Sequence, residues 1–515
     1  MESVSKKMVN IIFLIITISL FGMSLFVHCE LNIYTYLQVR TIEHHRIHVY
    51  LILTLLSVIA VLFLYALTNR IMFKIKNPKM TVFAVVAGCA LVIFAASIFW
   101  INFNDSLPKS DQATLYMEAR KLAGYLQEPF NTEYMTYFKR QRGFTLLIAV
   151  VLRLFGESQI PMRLLNVIGD LALLVGIYKL VNHLVKDKSY IIFTSVTLTL
   201  FYPLVIYTSF MYGTILSLTS SVWGFYAVVT YCETEKKRYA VLAAISFSLG
   251  VLMHQSAAVA AVAGSIYLFV HINRLNALKH CLAVAAIVFS IFLSLQFMNI
   301  IYEKLTNSPA GDTIPATAAI YMGLNSEAED GGPGSQDGSD AGIFVENNED
   351  AAATNRDAIN RIKSILSDYV TGKRSLLFFV RKTEYQWLDP TMGARKIIVL
   401  NDLNMGEPPN SENFIQFYNS VFRTIVYKIT NIFMILIYGF AAAAGIFTML
   451  KKNDTAEDKS VHFLIQLFFI GGFAFQLMWE SLPRYCFPYF VCLIPEAIYG
   501  IHCLYQLIHN IKGKA

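Results

Sequence analysis

The chain has 515 residues, of which 56% are hydrophobic and 15% charged, and its mean hydropathy is +0.51. Soluble globular chains run at roughly 45–50% apolar and about 25% charged, so water is excluded as the main solvent and the useful count is of apolar runs near 20 residues. The net charge of +7 does not indicate nucleic acid, because most Lys and Arg fall in short loops between apolar runs, where they set topology. The seven Cys are scattered without CxxC or ligand spacing, which indicates neither a disulfide framework nor a zinc site.

Lys6 and Lys7 precede an apolar run, 8 to 27, that lacks a small-x-small cleavage site and reads as a retained first helix. Further runs at 49–68, 80–100, 160–182, 189–207, 211–232, 239–254, 256–273, 280–300, 424–450, 460–478 and 486–509 predict an all-α polytopic bundle of about twelve transmembrane helices. The runs 239–254 and 256–273 are short and abut at His254-Gln255, a pattern that suggests a re-entrant hairpin. With both termini cytoplasmic, the inner loops carry Arg70, Lys74, Lys76 and Lys79, then Lys186 and Lys188, Lys236 to Arg238, Arg274 and Lys279, and Lys451, Lys452 and Lys459. Each satisfies the positive-inside rule.

Two outer regions exceed simple connectors. In the first, 101–142, the stretch DQATLYMEARKLAGYL repeats Leu115, Ala119, Leu122 and Tyr125 at helical spacing and predicts a surface helix. The next stretch, RGFTLLIAVVLRLFG, is short and interrupted by Arg153, and is read as a surface or re-entrant helix because a full span would invert the later loops. In the second region, 301–420, the segment 325–355 is acidic, Gly-rich and free of Lys and Arg, so a mobile loop is expected there. After it AINRIKSILSDYV predicts an amphipathic helix, and YQWLDPTMGARKIIVL an ordered segment turning at Asp389-Pro390. The chain thus divides into N-terminal extra helices (1–79), a transmembrane core with the first external loop (80–300), the large external loop (301–420) and C-terminal helices (421–515). It has no evident internal repeat, which counts against a transporter built from inverted repeats.

The candidate chemistry lies in the first outer loop. Asp111 follows the helix ending at Trp100, and the bases Lys139, Arg140, Arg142 and Arg163 come after it. A carboxylate can take the proton of an attacking hydroxyl, and guanidinium groups can stabilise charge on a departing phosphate. The plainer alternatives are that Ser110-Asp111 starts a helix and that interfacial bases reach toward lipid headgroups. His254 could face the same cavity or simply be hydrogen-bonded. Glu480 and Arg484 read either as a surface pair or, with Tyr485, as a phosphate site. Tyr116 is a further cavity candidate, and Trp387 and Tyr385 could stack on a sugar or serve as interfacial aromatics. Asp170 and Glu496 lie at mid-helix, where ionisable groups are costly and face the protein interior, as proton relays or as helix bridges.

The order of an apolar helix, then SDQATLYMEARKL, YFKRQRGFTLLIAVVLRLFG and MRLLNVIGDLALLVGIYKLV, resembles the opening of the GT-C glycosyltransferases, in the branch of the protein O-mannosyltransferases and aminoarabinose transferases. The resemblance covers roughly 80–300, with AAIYMGLN, KTEYQWLDPTMG and WESLPRYCFPYFVCLIPEAIYG similar to elements of bacterial members. It implies an inverting transfer from a polyprenyl-phosphate sugar, with Asp111 matching the catalytic Asp of the first external loop and Arg484-Tyr485 the RY pair of the last helix. Lys139-Arg140-Gln141 departs from the acid and Lys-Pro of the aminoarabinose transferases. Gln112 stands where many relatives have a second acid, so no metal ligand is assigned and divalent-metal dependence stays open.

The resulting expectation is a cell-membrane glycosyltransferase with Asp111 as base, Arg140, Arg142, Arg163 and Arg484 around the donor phosphate, and Tyr116, His254, Trp387, Glu480 and Tyr485 lining the substrate cavity. Its partners are a polyprenyl-phosphate-linked sugar, membrane lipid and an extracytoplasmic acceptor, with the site on the outer face and a bacterial surface polymer favoured by resemblance alone. The alternatives are a transporter or flippase of lipid-linked sugars, which would use the mid-membrane acids, and a non-catalytic assembly factor.

Overall fold

The computed structural model describes residues 2–34, 37–103, 108, 110–130, 132–272, 276–307, 311–326, 332–394, 397, 421–450 and 458–512. Helix α1 (Glu2–Phe26) leads into an antiparallel hairpin, β1 (Val27–Tyr34) and β2 (Leu37–His44), paired from Val27 with His44 to Tyr34 with Leu37. The hairpin is absent from the expected all-α pattern. Its run of Val27, Ile33, Tyr34, Val39, Thr41 and Ile42 is rich in residues that fit a pleated surface, but at eight residues per strand it is hidden between two much stronger helical signals. Then come α2 (Ile47–Lys74) and α3 (Pro78–Phe103), followed on the loop side by α4 (Asp111–Ala123), α5 (Thr132–Tyr137), a 3-10 turn at Lys139–Gln141 and α6 (Arg142–Phe155). The bundle continues with α7 (Ile160–Val181), α8 (Lys188–Leu200), α9 (Pro203–Tyr207), α10 (Thr214–Thr234), α11 (Lys237–Met253), α12 (Ala257–Val270) and α13 (Ala277–Thr306). The second loop region holds α14 (Ala316–Asn325), α15 (Ser339–Glu346), α16 (Ala351–Val370) and α17 (Leu377–Trp387). The bundle closes with α18 (Val421–Leu450), α19 (Asp458–Met478) and α20 (Pro483–Lys512).

All twelve apolar runs are helical, and among the described residues nine are long and apolar enough to cross a membrane. The other three, α8, α11 and α12, have 13, 17 and 14 residues. The α11–α12 pair nevertheless runs between the same two faces as α10. At one end Lys279 beside α12 pairs with Glu235 beside α11; at the other Met253 meets Gly213, the cap of α10. The pair is thus a hairpin of 17 and 14 residues packed alongside the 21 residues of α10.

Within the bundle α1 packs against α18 and α19, so the N-terminal extra helices are built into the C-terminal bundle. The hairpin is tied down by Cys29 N–H on Leu388 O (2.9 Å) and by the buried Arg40 guanidinium on Ser481 O (3.2 Å). Small residues let helices approach in a bilayer. At Gly500 of α20 an added Cβ would collide with the Phe440 carbonyl of α18.

Residues 327–331 of the acidic segment lie outside the described residues, and the remainder differs from its expectation. Residues 332–355 carry α15 and the start of α16, with Ile343 and Phe344 buried against Tyr137, Ile314, Ala318 and Ala358. The acids serve as caps and ion pairs: Asp350 accepts from Ala353 N–H at 2.7 Å, Asp312 from Ala351 N–H at 2.9 Å, and Arg361 pairs with Glu346 at 2.7 Å and Asp357 at 3.0 Å. The segment cannot make its own core, as its composition implies, but it borrows one from α5 and α14. The expected amphipathic helix is α16, and the turn at Asp389 forms as Asp389 accepts from Thr391 N–H (2.8 Å) and Gly393 N–H (3.0 Å). The rest of the loop, 401–420, lies outside the described residues.

Gly500→Val should separate α18 from α20 and lower stability by about 1–3 kcal/mol, the usual cost of overpacking. The thermal unfolding midpoint of the purified chain in detergent checks this.

Candidate active site

Asp111 is the first residue of α4, where a carboxylate is favoured by the helix N-terminus. The helix expected to start at Ser110-Asp111 does start there, but without a side-chain cap: Ser110 sits at φ +54° and makes no side-chain capping bond, and the Asp111 carboxylate meets Tyr212 and Arg484 instead. Tyr212 OH donates to Asp111 Oδ2 at 3.3 Å, and Arg484 Nη2 lies 3.5 Å from the same oxygen. The Asp111 side chain is still 36% exposed, so a third partner can reach it.

Three stretches converge here for identifiable reasons. Gln112 accepts Met211 N–H at 2.9 Å, which pins the 208–213 connection to α4 and brings Tyr212 to Asp111. Gln141 Nε2 donates to Tyr212 OH at 2.7 Å, so the phenol relays between the turn before α6 and the carboxylate. Burial, with Asp111 close by, pushes the Tyr212 phenol well above its usual pKa, so it remains a donor. Arg484, at the start of α20, lies among aromatic faces, 5.2 Å from the ring centres of Tyr212 and Tyr485 and 5.9 Å from that of Phe210. Tyr485 OH in turn donates to Glu480 Oε2 at 3.0 Å.

Beside this cluster opens a cavity of about 150 Å³, walled by Arg140, Gln141, Tyr212, His254, Trp479 and Tyr485 among others. Arg140 stacks on Phe138 (4.9 Å) and Trp479 (5.9 Å) and has no carboxylate within 4 Å among the described residues. It is an uncompensated cation facing the cavity. His254 Nδ1 lies 2.7 Å from Ser256 Oγ; burial, with Arg484 and Arg140 nearby, brings its pKa down to about 3, so the ring is neutral near pH 7.

Of the residues expected at the site, Asp111, Arg140, His254, Glu480, Arg484 and Tyr485 come together, and four do not. Arg142 is fully buried, with Nη1 on Glu303 Oε1 at 2.8 Å, Nε on Met135 O at 2.9 Å and its guanidinium over the Tyr302 ring. It holds α6 to α13. Arg163 is buried with Nη2 on Gln159 Oε1 at 2.8 Å, and Tyr116 lies under Arg120; neither lines the cavity. Trp387 is sealed behind the site among Phe469, Phe473 and Tyr489, where no sugar can reach it. Residues the sequence reading missed are Tyr212, Gln141 and Trp479. The only signal for the first was the aromatic run YTSFMYG between two spans.

Two expectations follow. Arg142→Ala should cost roughly 3–5 kcal/mol, as loss of one partner of a buried pair does, and should lower the unfolding midpoint whether or not a donor is present. His254 takes up a proton near pH 6.5 when unfolded but only near 3 when folded, so it removes stability as pH falls through that window. His254→Gln should flatten that part of a pH–stability curve, measured by thermal unfolding at stepped pH.

Residues 143–296, from α6 to the later turns of α13, match the family described as dolichyl-phosphate-mannose-protein mannosyltransferase. Asp111 and Arg140 precede the matched stretch, and Arg484 follows it. No curated protein sequence matches the chain. The matched stretch covers 154 of the 515 residues, the helices from α6 into α13 of a polytopic helical chain.

Proposed function

We propose that the chain transfers a sugar, with inversion, from a polyprenyl-phosphate carrier to a hydroxyl of an extracytoplasmic glycan, lipid or protein. The observation that carries this reading is the Asp111 carboxylate held by Arg484 and Tyr212 beside a cavity that a second, uncompensated guanidinium, Arg140, faces. The acceptor oxygen attacks the anomeric carbon, the bond from that carbon to the phosphate oxygen breaks, and the acceptor proton passes to Asp111. Polyprenyl phosphate departs with its charge stabilised by Arg484 and Arg140. A phosphate entering beside Arg484 shares its fork with Asp111 and loosens the carboxylate for its role as base. Tyr212, Glu480, Tyr485 and neutral His254 shape the sugar pocket.

The basic connections at Arg70–Lys79, Lys186–Lys188 and Lys236–Arg238 lie at the bundle end away from the cavity, which supports an outward-facing site under the positive-inside rule. The transporter reading would rest on Asp170 and Glu496. Neither lines the cavity, and Glu496 is 2.8 Å from His462 Nδ1, as a helix bridge would be.

Asp111→Asn keeps the shape but removes the base, and should cut transfer by a factor on the order of 10² or more with donor binding retained. Arg140→Ala or Arg484→Ala should weaken donor binding as well. Purified chain supplied with polyprenyl-phosphate sugars, with released polyprenyl phosphate as the readout, makes the comparison. Normal turnover by Asp111→Asn, together with loss of lipid movement in Asp170→Asn, would establish the transporter instead.

A further inference from the structure

A second and larger cavity, about 860 Å³, opens on the same face between β2 and the turn from α16 to α17. It shares no wall residue with the cavity beside Asp111. Helix α17 separates the two. On one side of it Lys382 Nζ donates to Trp479 O at 2.6 Å, and Gln386 Nε2 to Gln476 O at 3.2 Å, both toward the first cavity. Other positions of the same helix, Arg381, Glu384 and Tyr385, line the second.

The charge in this second cavity is one-sided. Lys373, Arg374 and Arg381 supply three cations against the single acid Glu384. Arg374 is engaged by a neutral group, Asn325 Oδ1 at 2.8 Å, and Lys373 reaches Asp368 only at 3.7 Å. Arg381 is exposed and has neither a hydrogen bond nor an ion pair among the described residues. Tyr385, packed against Gly332, and Tyr369 add flat aromatic walls.

The rim is apolar and uncovered, with Val370 88%, Leu376 65% and Leu377 49% exposed. These side chains border the cations on the α16–α17 turn. The far end of α17 is already sunk at Trp387 among Phe469 and Phe473 of the spanning helix α19. Its 11 residues, about 16 Å of helix, keep the rim within headgroup depth. Apolar side chains flanking guanidinium groups at a bilayer surface suit the boundary between acyl chains and phosphates.

We propose that this cavity binds a phosphate ester presented at the membrane surface, at a site distinct from the sugar-transfer cavity, with Arg374 and Arg381 as its ligands and the β1–β2 hairpin as one wall. The inference does not depend on the transfer chemistry. It also gives the N-terminal hairpin a task, since Ile42 and His44 belong to the wall.

The test uses the purified full-length chain and two probes: phosphatidylglycerol in detergent micelles, counted by native mass spectrometry, and soluble glycerol 3-phosphate, followed by calorimetry. Arg381→Ala, at an exposed position without a hydrogen bond or close ion pair among the described residues, and Arg374→Ala should each weaken binding by about tenfold, the value of one charge-assisted contact. Arg356→Ala, an equal charge change on α16 outside the cavity, should leave binding unchanged. Loss confined to the lipid probe identifies a membrane headgroup as the source, and equal loss with the soluble probe identifies a free phosphate ester. If Arg381→Ala and Arg374→Ala bind both probes as wild type does, or weaken no more than Arg356→Ala, the proposal is wrong.

Discussion

The guanidinium of Arg484, enclosed by the rings of Phe210, Tyr212 and Tyr485 and facing Asp111, is where four distant stretches of chain meet. A cation at a helix start is cheap in water but costly among aromatic rings unless an anion or a π-face compensates it. Here both do. The arrangement holds the first turn of α20 against the connection before α10 and the start of α4, and the loop after α17 is packed on it through Gly393, where a Cβ would meet Arg484 backbone. Tyr212 and Gln112 then orient Asp111 as a consequence of the same convergence.

Electrostatic compensation also sorts the remaining cations by role. Arg142 and Lys139 both approach Glu303, at 2.8 and 3.7 Å, and so spend their charge inside the protein. Arg140, between them in sequence, rests on aromatic faces and keeps its charge for the cavity. A guanidinium without a close internal anion is the one able to receive an external phosphate without first breaking a pair, and Arg381 on the far side of α17 likewise makes no ion pair within 4 Å among the described residues, its nearest acid being Glu384 on the same helix. Adjacent residues of the segment before α6 are thus divided between internal ion pairs and the cavity wall.

The layer formed by α14 to α17 is held together by polar contacts of α17. Lys382, buried and donating to Gly323 O and Trp479 O, and Gln386, donating to Gln476 O and Glu480 O, fasten α17 to the outer end of α19 and to the link before α20. Helix α14 is held by the same lysine, and α15 and α16 pack on α14. This scaffold places Trp479 in the wall of the cavity beside Asp111, and its opposite side carries the cavity lined by Arg374 and Arg381.

The twelve apolar runs, the basic loops and the acid at the start of α4 were legible in the sequence, because bilayer thickness and the cost of burying charge act on local composition. So were the amphipathic α16 and the turn at Asp389. The β1–β2 hairpin, the order of the acidic segment and the division of the arginines were not. Strand pairing, a core borrowed by Ile343 and Phe344 from Tyr137 and Ala318, and the pairing of Arg142 with Glu303, 161 residues away, all depend on partners distant in the chain. Composition near Asn325–Asn355 pointed to a mobile loop, because a core supplied by neighbouring elements is invisible at that range. Sequence alone determined what crosses the membrane and which residue types gather outside it. Only the tertiary structure decided which cations are neutralised internally and which are left to meet a ligand, because a charge's availability is set by its neighbours in space.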